Sequence, residues 1–95
     1  MSLHEELRRQ AERQLVEFLR TDLELVRIFV ESAALQLRMG ELENYRKLLD
    51  EAAKGINTIH YFEERVSDPQ IRAEIQLELE KIEKLLFSAE KDYLN

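Results

Sequence analysis

Histidine is the side chain most often used to move a proton or hold a metal near neutral pH, and this chain has two, His4 and His60. The run His60-Tyr61-Phe62-Glu63-Glu64 sets two carboxylates one helical turn beyond an imidazole. On a helix that spacing serves a surface ion pair first. A di-metal site in a helical bundle needs Glu-x-x-His twice, together with two further carboxylates. Asn57 stands three residues before His60, so that motif is missing. The sequence holds no glycine-rich phosphate loop, no Ser-His-Asp set and no metal-ligating cluster. Cysteine is absent, which removes thiolate chemistry and disulfides together. Two glycines leave little material for the loops that usually carry active sites. The expectation is a protein with no catalytic residues, no cofactor and no metal.

Charge narrows the partners. Fourteen Lys and Arg against twenty Asp and Glu leave a net charge of −6 over 95 residues. An acidic chain repels nucleic-acid phosphates unless its basic residues gather on one face, and here they alternate with acids, so no nucleic-acid partner is expected. Arg8, Arg9 and Arg13 lie beside Leu7 and Phe18 and offer a weak case for an acidic membrane surface, diluted by Glu5, Glu6, Glu12 and Glu17. No apolar run approaches the roughly 20 residues that span a bilayer. The opening Met-Ser-Leu-His-Glu-Glu lacks the basic start and apolar stretch of a secretory signal, and the expected location is the cytoplasm. The run from Glu74 to Lys84 reads as a solvated helix face with spaced ion pairs, or as an acidic patch for a basic partner.

The elements that must position these side chains are helices. Gly40 suits a helix C-terminus, while Asp68 can cap a helix whose first position is Pro69. Ser2 and Glu5 have capping-box spacing. These breakers predict helices over about 3–39, 41–66 and 69–93, joined by connections short enough to make neighbours antiparallel. Apolar residues recur at helical spacing as Leu42, Tyr45, Leu49, Ala52, Ile56, Ile59 and Val66 in the second helix. In the third they are Ile71, Ile75, Leu79, Ile82, Leu86, Ala89 and Tyr93. One buried stripe per helix gives an all-α, antiparallel three-helix bundle in a single domain.

The first helix is different because it carries two stripes. Val16, Leu19, Leu23, Val26, Val30, Ala33 and Leu37 form a 3–4 seam suited to the core. Leu7, Ala11, Phe18, Leu25, Ile28, Leu35 and Met39 form a second on roughly the opposite face, interrupted by Gln14, Thr21 and Ser32. A helix of this length would extend about 55 Å at 1.5 Å per residue, against about 37 Å for the other two. Its first dozen residues should therefore overhang, with residues 1–22 an extension and 23–94 the bundle. Two arrangements would cover the second seam. Either the helix is continuous and pairs with another chain, a second copy or another helical protein, or it breaks near Asp22. Thr21 and Glu24 have capping-box spacing there, and a break would fold residues 3–20 back.

Around Gly40 the chain resembles a tetratricopeptide-type helix pair. Ala33 and Ala52 fall at small-residue positions, Phe29 and Leu49 at large ones, and Gly40-Glu41 at the turn. Tyr45 stands where that repeat has alanine, and no second 34-residue copy follows. Residues 23–94 also resemble MIT (microtubule-interacting and trafficking) domains, which are single three-helix bundles. Gly40-Glu41-Leu42-Glu43-Asn44-Tyr45 is similar to the turn into their second helix, while Ser67-Asp68, Ala89-Glu90-Lys91 and Tyr93-Leu94 are similar to the edges of their third. The resemblance implies binding of a short amphipathic peptide between helices two and three. Leu77 and Phe87 lie off the third helix's core stripe and Tyr61 off the second's. Leu48, Leu77 and Phe87 are the candidate partner surface. The leading expectation is a non-catalytic interaction module that forms a homodimer through its first helix, with the peptide-binding adaptor as the alternative.

Overall fold

A computed structural model describes residues 2–94, with side chains through Asp92. Three helices follow one another: α1 (Leu3–Arg38), α2 (Leu42–Glu63) and α3 (Pro69–Leu94). Local chemistry sets their ends. The Ser2 hydroxyl accepts a hydrogen bond from the Glu5 amide at 3.2 Å, and Glu5 and Glu6 place negative charge in the first turn, where the helix dipole favours it. α1 closes with two crossed bonds, Glu41 N–H to the Gln36 carbonyl at 2.9 Å and Gly40 N–H to Leu37 at 3.0 Å. This Schellman pairing requires the left-handed backbone of Gly40, whose φ is 78°. At the start of α3 the Asp68 carboxylate accepts from the Gln70 and Ile71 amides at 2.9 and 3.3 Å.

α1 runs unbroken through Thr21 and Asp22, so no fold-back forms. The reason is packing: Leu15, Val16, Leu19 and Leu23 all lie against the same core, and a bend at residue 22 would tear that stripe. It also means that packing begins near Leu15, and the projecting part of α1 is shorter than residues 1–22. The Glu12 carboxylate, which accepts from the Ser67 amide at 2.7 Å, marks where α1 passes the α2–α3 connection. α2 ends at Glu63 rather than Val66 because tighter bonds take over, from Arg65 N–H to Phe62 and Val66 N–H to Glu63. That turn still delivers Val66 to the core.

The core joins Leu19, Leu23, Val26 and Val30 of α1 to Ala52, Ile56 and Ile59 of α2 and Ile75, Leu79 and Ile82 of α3. The expected stripes are therefore the buried ones, with Val16, Leu37, Leu49, Ile71 and Leu86 half-buried. Leu42, at the end of the bundle, is exposed instead, and the side chain of Tyr93 lies outside the described residues. α1 and α2 approach closely at Gly55, where an added Cβ would overlap Cγ2 of Val26. Tyr45, buried in α2, donates its hydroxyl to the Ala89 carbonyl of α3 at 2.9 Å. Glu63 is the one buried charged residue among those described; it accepts from Arg72 at 3.2 Å and from Gln76 at 3.0 Å.

The result is a rod, 58 × 19 × 16 Å, with a radius of gyration of 16.2 Å. A compact domain of 95 residues would have a radius near 12 Å.

Candidate interaction surface

The second seam of α1 lies on the side of the helix turned away from the core. Leu7, Phe18, Leu25, Ile28, Leu35 and Met39 are each between 44% and 62% exposed, and Ala11 is exposed with them. Because the helix is straight through Asp22, the seam is continuous from the projecting turns to the α1–α2 turn. It amounts to about 48 Å of apolar edge at 1.5 Å per residue. Exposed apolar side chains are ordinary singly; aligned on one edge they form a surface of the kind that binds partners.

The seam is not uniform. Near its middle Phe18 meets Phe62 of α2 edge-on at 5.7 Å, and Phe62 in turn meets Tyr61 at 4.9 Å. Arg65 lies over both α2 rings, at 4.9 and 5.2 Å from their centroids, and donates to the Tyr61 hydroxyl at 3.0 Å. This cluster widens the apolar edge toward α2. Lower down, Ile28 turns toward α3 and shares a groove of about 650 Å³ with Leu77, over a floor of Leu23 and Ile75. Two ion pairs cross that groove, Arg20–Glu74 at 3.3 Å and Arg27–Glu78. All four side chains are at least two-fifths exposed, so these pairs align helices more than they stabilise them.

The candidate partner residues do not form one surface. Leu77 joins the α1 edge. Phe87 lines a separate shallow groove of about 320 Å³ between α2 and α3, with Ala53, Ile56 and Leu86. Leu48 is half-buried and belongs to neither groove. Leu85 and Leu42 are exposed as well.

His60 does pair with a carboxylate, but with Glu83 of α3 at 2.8 Å rather than with Glu63 or Glu64 of its own helix. Glu63 turns inward to Arg72 and Gln76. No group of acidic, histidine or cysteine side chains among the described residues has metal-binding geometry. Burial raises the Asp22 carboxyl above its ordinary 3.8. Lys54 is raised from 10.5 first by its hydrogen bond to Asp50, then by the charges of Asp50 and Glu51. No helix among the described residues is long and apolar enough to cross a membrane.

Fold and surface together define an all-α, three-helix bundle whose leading helix has one face in the core and a second apolar face outside it. Compared with protein-family models, curated proteins and solved structures, the chain matches none.

Proposed function

We propose that this protein is a non-catalytic helical interaction module that self-associates through the outer face of α1. The observation that carries the reading is the seam from Leu7 to Met39, apolar at 3–4 spacing except at Gln14, Thr21 and Ser32 and half exposed along an unbroken helix. Surface area supports it. The chain exposes 6890 Å², whereas a compact monomer of 11.3 kDa would expose about 5,700 Å². The surplus exceeds the roughly 800 Å² that each partner gives to an ordinary interface. We place the module in the cytoplasm, with which a cysteine-free chain is compatible.

Light scattering on a sizing column tests the reading. The expected mass is twice 11.3 kDa, falling to the monomer in the double variant Ile28→Glu/Leu35→Glu while helicity by circular dichroism is kept. Each of these half-exposed side chains stands to bury about 1 kcal/mol more, so losing four per dimer weakens association about a thousandfold. A parent protein that is monomeric at its highest soluble concentration overturns the proposal.

The α2–α3 groove around Phe87 supports a second reading, an MIT-like adaptor for a short amphipathic peptide. It predicts helical peptide binding by an intact monomer that is lost in Phe87→Glu.

A further inference from the structure

The two copies of such a dimer can run the same way or opposite ways, and the order of residues along the seam distinguishes them. We infer that the copies pair antiparallel along α1, about a two-fold axis that crosses its outer face between Thr21 and Leu25, level with Leu23; this rests on the self-association proposed above. A closed dimer makes one patch meet itself, so each residue must suit the one that the rotation brings to it.

Reversed and laid on itself about Leu23, the seam matches. Leu7 falls on Met39 and Ala11 on Leu35, so a small side chain near one end faces a large one near the other. The polar interruptions coincide as Gln14 on Ser32, an amide beside a hydroxyl, and Phe18 falls on Ile28. Thr21 on Leu25 is the one mixed layer, and threonine brings a methyl group to it. Sliding the register by seven residues in one direction sets Phe18 on Thr21 and Gln14 on Leu25. Sliding it in the other sets Gln14 on Met39 and leaves Leu7 and Ala11 uncovered.

A parallel pair places every residue on its own copy. Phe18 would then crowd Phe18 while Ala11 faced Ala11, a bulge near a void, whereas well-packed layers alternate large and small. Parallel two-stranded packing also favours β-branched residues at the first seam position of each heptad and leucine at the second. Here none of the first positions, Ala11, Phe18, Leu25, Ser32 and Met39, is β-branched, and the second positions hold Gln14, Thr21 and Ile28 beside Leu7 and Leu35. The antiparallel arrangement also opposes the two helix dipoles. It lays the projecting turns of one copy, with exposed Leu3 and Leu7, along the end of the other, where Met39 and Leu42 are exposed.

The absence of native cysteine makes the test direct. Ala11→Cys and Leu35→Cys are made as separate chains, mixed, refolded and oxidised, and the disulfides are mapped by mass spectrometry. Light scattering on the unoxidised mixture reports the mass. The expected product is the mixed 11–35 disulfide, with neither like pair, because like positions lie about 36 Å apart across the axis at 1.5 Å per residue. Gln14→Cys with Ser32→Cys repeats the measurement at polar positions, where folding is least at risk. A dimer that instead forms 11–11 and 35–35 disulfides overturns the antiparallel pairing and leaves self-association standing. A dimer that forms none in either set overturns the register. A monomer in light scattering overturns both readings.

Discussion

Gly55→Ala sets two opposing effects against each other at one atom. In an exposed helix interior the change stabilises by about 1 kcal/mol, because alanine loses less backbone freedom than glycine. Here the new methyl would overlap Cγ2 of Val26, a β-branched side chain that is itself 1% exposed and has little rotamer freedom on a helix. Overpacking of this kind costs about 1–3 kcal/mol, so the net expectation is destabilisation by about 1 kcal/mol. Val26→Ala alone removes two buried methyl groups and costs about 2 kcal/mol, including the cavity. Combined, the alanine at 55 fills part of the space vacated at 26, and the double variant loses less than the sum of the two by about 1–2 kcal/mol. Urea unfolding of all four proteins at one concentration measures the cycle. A Gly55→Ala protein more stable than the parent, or a cycle additive within error, would refute the close approach of α1 and α2.

Three further outcomes are expected. Asp22→Asn raises stability at neutral pH by up to about 0.5 kcal/mol. Burial lifts the folded-state pKa of Asp22 above its ordinary value, so ionisation penalises the folded state once pH exceeds that pKa, and the advantage over the parent should vanish as pH falls below 3.8. Glu63→Ala strands Arg72 and Gln76 and should cost about 1.5–3 kcal/mol in thermal or urea unfolding; an effect under about 0.5 kcal/mol would mean that the network does not hold α2 to α3. In the antiparallel dimer Glu24 flanks the axis beside its own copy, so Glu24→Gln should tighten association several-fold at low salt, with the gain disappearing near 1 M salt, as read by analytical ultracentrifugation.

What could be read from the chain depended on how far apart the interacting residues lie. Ser2, Gly40, Asp68 and Pro69 act within a turn of themselves, so each marks its helix end without reference to the rest of the fold. Spacing alone located the core stripes, because burial on a helix repeats with the helix. Glu63 continues the α2 stripe four residues after Ile59 and three before Val66; that register was the available signal for its burial, and its charge hid it. The partner of His60 is Glu83, 23 residues on, and rules for pairs within one helix do not reach it. Gly55 gives no sign in the sequence that Val26 lies against it. The same limit holds for the candidate surface: α1's outer residues were legible as a row. That Ile28 shares a groove with Leu77, and Phe18 a cluster with Phe62, emerges only when three helices are set side by side.

The turns of α1 ahead of Glu12 are exposed along their whole length, so within one chain their amides are protected chiefly by their own backbone bonds. They should fray and exchange with deuterated solvent in steps that leave the rest intact, whereas amides around Ile75 to Ile82 exchange only when the whole bundle opens. One end of the rod is thus thermally soft and its middle stiff, and whatever seats those leading turns will register first as slowed exchange there.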